Sequence, residues 1–260
     1  MKFVFDLDGT ICFKGKPLSP NMVACLDRLV KEGHELIFAS ARPIRDLLPI
    51  LPEHLRCHSL VGGNGGFVQH GGRLLSVSYL DNSLANQILQ LLHSYNATYL
   101  IDSDWDYCYT GAIDHPIRQN LDPEGAAQNL SLDELSKWVK IVILQSSNFE
   151  QLYMELADLP VALYLHGNEN IIDISPQGID KWTGLQQLGV QAHAFIAFGN
   201  DANDVPMFKQ ANYSVCVGNH ADLLAVSTDK TSSDEEAVIS KIEEIAANLP
   251  LHLLDIPLLG

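Results

Sequence analysis

The sequence predicts an α/β protein: a doubly wound, mostly parallel sheet with a second, α+β module inserted into it. Three observations carry this reading. Residues 2–7 form a short apolar run with Phe and Val but no clean alternation, the pattern of a strand buried on both faces of a parallel sheet. Apolar runs then alternate with helical patterns at the spacing of βαβ units. After Gly65 the rhythm changes to paired strands between helices, and the first rhythm returns near Asp180.

Taken in order, Ser19 and Pro20 supply an N-cap and a first helical residue, and Met22, Val23, Leu26, Leu29 and Val30 recur at helical spacing up to Gly33. A helix over 20–32 follows. Residues 35–39 are a second strand, Pro43 opens another helical stretch, and residues 59–61 are a third strand ending in Gly62-Gly63-Asn64. Gly71-Gly72 between 67–70 and 73–78 reads as a hairpin turn. The insert is expected as helix 82–95, strands 97–102 and 106–110, helix 131–138, strand 139–145, helix 148–157, and strands 161–166 and 171–175. Trp105, Tyr107 and Tyr109 read as packing residues of the first of these strand pairs, one face of which could line a site. A helix opening near Asp180, strand 194–198, helix 205–210, strand 213–217 and an acidic helix 234–247 complete the chain. The expected domains are therefore 1–78 with 179–260, and 79–178 between them.

Composition excludes several functions. Sixteen Lys and Arg against 32 Asp and Glu leave a net charge of −16 over 260 residues, with no basic run to grip a phosphate backbone, so no nucleic-acid partner is expected. An anionic ligand must be received by a metal ion, backbone amides or a few placed cations. The five cysteines show no CxxC pair, which argues against a zinc site or disulfide framework. Residues 1–5 run directly into Asp6 and Asp8, and no apolar stretch approaches the roughly 18 residues of a membrane span. A cytoplasmic protein with no membrane partner, a monomer or weak homodimer, is the expectation.

Asp6 and Asp8 are two residues apart at the end of the first strand, so both carboxylates would face the crevice where open α/β sheets bind ligands. Such a pair either attracts a cation or keeps one proton. Gly9-Thr10 adds a turn whose amides can cup an anion. Ser40-Ala41-Arg42, Lys181 and the run Gly199-Asn200-Asp201-Ala202-Asn203-Asp204 stand at further strand or helix ends on the same sheet edge.

In this order, Asp6-Leu7-Asp8-Gly9-Thr10, Ser40, Lys181 and a late Gly-x-x-x-Asn-Asp resemble the haloacid dehalogenase superfamily of phosphohydrolases, in its Cof-type branch with a C2B cap. The resemblance covers nearly the whole chain. It implies that Asp6 is a nucleophile forming an aspartyl-phosphate, that Asp8 serves as acid and then base, that Ser40 binds a phosphoryl oxygen, and that Lys181 neutralises charge. It also places Asn64, within Gly62-Gly63-Asn64-Gly65-Gly66, at the cleft, where a simple glycine turn is the alternative. Gly9, Thr10, Ala41, Arg42, Asn64 and Asn203 are expected around the substrate. Arg42 either reaches the substrate or pairs elsewhere with a carboxylate. Mg²⁺ is the implied cofactor, with Asp6, Asp8, Asn200, Asp201 and Asp204 as candidate ligands. Here the chain departs from the family, which usually has Asp after the glycine: Asn200 occupies that place, and Asp201 could substitute by a one-residue shift. Asn203 would contact phosphate or a metal-bound water, and Asp204 would orient Lys181 or such a water. The implied activity is hydrolysis of small phosphorylated metabolites, sugar phosphates foremost. Phosphoryl transfer to a second hydroxyl, or a weakened phosphate-binding regulator, are the alternatives.

Overall fold

In the computed structural model, which describes residues 1–165 and 170–249, the chain opens with β1 (Lys2–Phe5), α1 (Pro20–Lys31), β2 (Glu35–Ala39), the short α2 (Ile44–Leu47), β3 (Ser59–Gly62), β4 (Phe67–His70) and β5 (Arg73–Val77). It continues through α3 (Asn82–Ser94), β6 (Thr98–Asp102), β7 (Tyr107–Tyr109), β8 (Lys140–Gln145), α4 (Phe149–Ala157), β9 (Val161–Leu165) and β10 (Ile172–Pro176). The last section is α5 (Lys181–Gln187), β11 (Phe195–Gly199), α6 (Val205–Phe208), β12 (Tyr213–Val217), α7 (Ala221–Leu224), β13 (Asp229–Thr231) and α8 (Glu235–Asn248).

Two sheets result. The first has eight strands in the order β13, β12, β11, β1, β2, β3, β4, β5, parallel from β13 to β3 and antiparallel through β4 and β5. The second, ordered β7, β6, β8, β10, β9, is antiparallel throughout and comes entirely from between β5 and α5. The α/β class with an inserted α+β module is the one expected.

Burial on both faces explains the unbroken apolar run of β1. Phe3, Phe5 and Phe38 pack with Leu26 of α1 and with Val238 and Ile242 of α8, while Val4, Ile37 and Ala197 meet Leu185 of α5 and Met207 of α6. Ser19 caps α1 by accepting from the Met22 N–H at 3.1 Å, a bond worth about 1 kcal/mol. Parallel register then does the positioning. Phe5 lies beside both Phe38 and Phe198, and Ala39 beside Val61, so the residues that follow β1, β2, β3 and β11 emerge at one edge. In the insert, α3 and α4 cover one sheet face through Ile88, Leu92, Leu152 and Leu156.

One expected element is corrected. The helix over 131–138 is only a 3₁₀ turn, Leu132–Glu134, closed by the Glu134 carboxylate accepting from the Ser131 N–H and hydroxyl at 3.0 and 2.6 Å. Leu135 and Trp138 are both drawn into the insert's core, and the main chain there bonds across, with Leu80 N–H donating to Trp138 C=O and Val139 N–H to Asp102 C=O, each at 2.8 Å. Tertiary pairing takes the groups a helix would need. The short α7 and β13 went unanticipated because three or four residues carry no readable period. The expected strand end at His166 and the chain end at 250–260 lie outside the described residues. No helix among the described residues is long and apolar enough to cross a membrane.

Candidate active site

Asp6, the residue after β1, is nearly buried, at 5% exposed. Its Oδ1 accepts from Lys181 Nζ at 2.6 Å and its Oδ2 from Thr10 Oγ1 at 2.8 Å. Lys181, fully buried, is also held by Asp204 Oδ1 at 2.6 Å. Lys181 opens α5 behind the N-cap Asp180, which accepts from Thr183 N–H at 2.8 Å. Gly65, at φ +101°, lets the β3–β4 connection press on this cap, because a Cβ there would stand 2.1 Å from the Asp180 carbonyl oxygen. Two carboxylates thus share one ammonium in a nearly fully buried site. Burial pushes the Asp6 carboxyl up to about 7, opposed by Lys181 and assisted by Asp204, and the two carboxylates hold the Lys181 ammonium above its ordinary range.

Asn200 follows β11. Its amide head group lies 3.0 Å from Asp6 Oδ2, 3.1 Å from the Asp8 main-chain oxygen and 3.2 Å from Thr10 Oγ1. With nitrogen turned inward it donates to all three. With oxygen turned inward, it joins Asp6 Oδ2 and Asp8 C=O at the spacing of neighbouring ligands on an octahedral Mg²⁺, about 3 Å for metal–oxygen bonds of about 2.1 Å. The donor chemistry therefore fits a hard cation, with one carboxylate and two neutral oxygens. Gly9 makes the approach possible: φ is +80°, and a Cβ would stand 2.3 Å from Asn200 Nδ2.

The other expected ligands are placed elsewhere. Asp204 spends Oδ1 on Lys181 and accepts from Asn200 and Asp201 N–H groups through Oδ2 at 2.8 and 3.1 Å, so it orients the lysine and ties down the loop. Asp201 accepts from Ala202 N–H at 2.7 Å and stands 3.3 Å from His220 Nε2. The Asp8 carboxylate receives Arg42 through Nε and Nη2 at 2.6 and 2.7 Å. Arg42 thus pairs with a carboxylate at the crevice itself. Among the described residues, no three His, Cys, Asp or Glu side chains gather as a metal cluster. Ser40 is buried, its hydroxyl accepting from Arg42 N–H at 3.1 Å. Asn64, also buried, has φ +54° and accepts Asn203 Nδ2–H at 2.9 Å. Ala41 presents its carbonyl to Lys140 Nζ at 2.8 Å.

Comparison with known proteins supplies the family. The model of the haloacid dehalogenase-like hydrolases matches residues 3–242. The chain belongs to that family. Among curated relatives, it is 25% identical over 248 residues to a 5-amino-6-(5-phospho-D-ribitylamino)uracil phosphatase of Bacillus subtilis, covering 89% of this chain and 91% of the relative. It is also 25% identical over 271 residues to a pyridoxal phosphate phosphatase of Escherichia coli, covering 96% and 97%. Among solved structures, a sugar phosphatase of HAD subclass IIB superposes with a TM-score of 0.80 at 16% identity, over 94% of this chain and 98% of that one. This haloacid dehalogenase-like hydrolase is therefore an enzyme of the phosphatase class its motifs led one to expect.

The hydrolase also carries a polar wall that sequence reasoning missed. Above Asp8 and Arg42 opens a cavity of about 650 Å³, bounded by α2, the loop 115–121 and the open face of the insert's sheet. Arg45 holds Asp46 through a two-pronged bond at 2.8 and 2.7 Å, Asp102 at 2.9 Å and the Trp105 carbonyl at 2.7 Å, with its guanidinium 4.7 Å over the Tyr107 ring. Lys140 joins Asp173 at 2.7 Å to the Ala41 carbonyl. Arg45, Asp46, Asp102, Lys140 and Asp173 are all nearly buried. The available signal was a charge within or at the end of each apolar element: Arg45-Asp46 within α2, Asp173 within β10, Asp102 ending β6 and Lys140 opening β8, strands rich in Ile, Leu and Val.

Proposed function

We propose that this hydrolase is a Mg²⁺-dependent phosphomonoesterase of small phosphorylated metabolites, working through an aspartyl-phosphate on Asp6. The observation that carries the reading is the Lys181 ammonium buried between Asp6 and Asp204 at 2.6 Å from each, with Asn200 and the Asp8 carbonyl closing on the other Asp6 oxygen. A carboxylate that must approach a phosphate dianion needs cations in place beforehand. Asp6 Oδ2, the Asp8 main-chain oxygen and the Asn200 amide oxygen would hold Mg²⁺, which when bound supplies charge neutralisation at the phosphoryl oxygens.

This chain's residues then do the following. An Asp6 carboxylate oxygen forms a bond to phosphorus as the ester P–O bond breaks, and Asp8 gives a proton to the departing alkoxide. Asp8, held by Arg42, takes a proton from an incoming water, whose oxygen bonds to phosphorus as the Asp6–phosphorus link breaks. Phosphate leaves, and Asp6 and the Asp8 proton are restored. Ser40 and the amides of the Thr10 turn would hold phosphoryl oxygens. The insert serves as a cap that keeps bulk water from the intermediate. The cavity volume suits a leaving group of metabolite size, not a macromolecule.

The test is hydrolysis of para-nitrophenyl phosphate with Mg²⁺ and with EDTA. Turnover is expected only with the metal, and Asp6→Asn is expected to lose it by at least about 10³-fold, on the scale of removing a catalytic nucleophile. Absent Mg²⁺-dependent hydrolysis would favour the reading that Asn200 marks a phosphate-binding regulator. Asn200→Asp adds an anion to the proposed ligand set and is expected to lower the Mg²⁺ concentration for half-maximal rate; Asp201→Asn is expected to leave it in place.

A further inference from the structure

The Asn200 head group faces three oxygens at once: Asp6 Oδ2 at 3.0 Å, the Asp8 main-chain oxygen at 3.1 Å and Thr10 Oγ1 at 3.2 Å. Thr10 spends its proton on Asp6 Oδ2 at 2.8 Å, so toward the amide it offers only a lone pair. Nitrogen turned inward answers all three acceptors, sharing its hydrogens among them. Oxygen turned inward would meet three acceptors and no donor, which is costly unless a cation sits among them. The two orientations exchange atoms of nearly equal size about one side-chain bond. Gly9, having no Cβ against the head group, leaves room for either. A carboxylate in this place has no donor end and could not take the first orientation.

The charges around the amide point the same way. Lys181 is shared by Asp6 and Asp204, so that triad carries one negative charge when all three groups are ionised. Asp8 and Arg42 form a pair that adds none. The other two acids of the loop after β11 are turned elsewhere, Asp204 to Lys181 and two main-chain N–H groups, Asp201 to the Ala202 N–H and His220. Mg²⁺ entering alone would therefore leave a positive charge unanswered at a buried ligand set, and would also break the three contacts of the inward nitrogen. A phosphoryl dianion entering alone would meet the negative triad. Each supplies the charge the other needs.

Resting on the phosphatase reading, we infer that Mg²⁺ and the phosphoryl dianion bind this site as a mutually dependent pair, with the Asn200 amide as the gate between them. Nitrogen inward holds the site shut against a lone cation. Oxygen inward opens it, and the dianion makes that state favourable. Linkage then requires each ligand to raise the other's affinity by one common factor. The substrate thus draws in the metal, where an aspartate at position 200 would let the metal load first.

The experiment is calorimetric titration of the full chain at pH 8 with Mg²⁺, without and with saturating inorganic phosphate, and the converse, corrected for magnesium phosphate formed in solution. Each ligand is expected to tighten the other by at least about tenfold, and by the same factor in both directions. In Asn200→Asp, Mg²⁺ alone is expected to bind more tightly and the factor to shrink by at least threefold, whereas a merely structural role would weaken both ligands and leave the factor in place. Nuclear magnetic resonance of the chain labelled with ¹⁵N-asparagine reads the gate itself: the Asn200 side-chain signal, assigned by its loss in Asn200→Asp, is expected to move with both ligands together and little with either alone. Mg²⁺ affinity indifferent to phosphate, no phosphate binding even with Mg²⁺, or an undiminished factor in a folded Asn200→Asp overturns the inference. Should that variant not fold, the wild-type factor decides. Coupled binding without turnover of para-nitrophenyl phosphate leaves the gate standing and removes the phosphatase; Mg²⁺-dependent turnover with a factor near one does the reverse.

Discussion

Asp6 has an ammonium on one oxygen and a hydroxyl on the other, yet burial still pushes its carboxyl up to about 7. Desolvation is the larger cause, and the count of charges adds to it, since Lys181 answers two carboxylates and the buried triad has one anion in excess. The sign of its pH dependence follows. An unfolded Asp titrates near 4, so between about 4 and 7 the folded chain holds a proton that the unfolded chain has lost, and stability falls as pH rises through that window. Asp6→Asn removes the excess anion. Without divalent cation, that variant is expected to melt higher than wild type by about 3 °C or more at pH 8 and by less at pH 5, where wild-type Asp6 is already protonated when folded. A thermal melt in EDTA at both pH values checks this. The same change that would remove the proposed nucleophile is thus expected to stabilise the chain, as for a side chain kept for chemistry.

The turn after β1 shows how an element sets a site to within an ångström. Its last strand residue, Phe5, is locked between two parallel neighbours, and the chain must then bring Thr10 Oγ1 back to Asp6 and clear the way for Asn200 from β11. Gly9 meets the second demand by having no Cβ and the first by taking a left-handed φ. Gly9→Ala is expected to lower kcat/KM by at least about 100-fold, because the displaced Asn200 amide leaves Asp6 and the Asp8 carbonyl. Gly71→Ala makes the control: its φ is +58°, but a Cβ there meets nothing within 4 Å. It is expected to cost about 1 kcal/mol of stability from backbone strain alone and to keep wild-type kcat/KM. Paired melts and rates distinguish crowding at the site from strain in a turn.

Across the whole molecule, the eight-stranded sheet and the insert are joined by charge as well as by the chain. Arg45 on α2 reaches Asp102 at the end of β6 and the Trp105 carbonyl, while Lys140 at the start of β8 reaches back to Ala41. Removing Arg45 leaves Asp46 and Asp102 buried without their cation, a change that costs about 3–5 kcal/mol where one partner of a buried pair is deleted. Arg45→Met is therefore expected to lower the urea midpoint strongly and to speed proteolysis between the sheet and the insert. Arg45→Lys is expected to recover only part of the loss, because an ammonium cannot reproduce the two-pronged bond to Asp46 and stack on Tyr107. Urea titration followed by Trp fluorescence measures both.

The sequence by itself determined which strands are buried on both faces, where Asp6, Asp8, Ser40, Lys181 and Asn200 fall relative to strand and helix ends, and where the parallel rhythm breaks for the insert. These are short-range properties: side-chain period, caps and glycine turns are written in neighbouring residues, and parallel register converts strand ends into one sheet edge. The choice between Asn200 and Asp201 was open in the sequence, since one residue of register is all that separates them. The fold separates the two side chains: both N–H groups are clamped on Asp204, with the Asn200 amide toward Asp6 and Asp201 toward Ala202 and His220. The helix expected over 131–138 gave way for a related reason, as Leu135 and Trp138 gain more from the insert's core than from a local period. Only tertiary structure could show Arg45, Asp46, Asp102, Lys140 and Asp173 as one wall, because strand pairing within the insert gathers Asp102, Lys140 and Asp173, and docking of the insert then brings them to Arg45 and to the Ala41 carbonyl, 99 residues from Lys140.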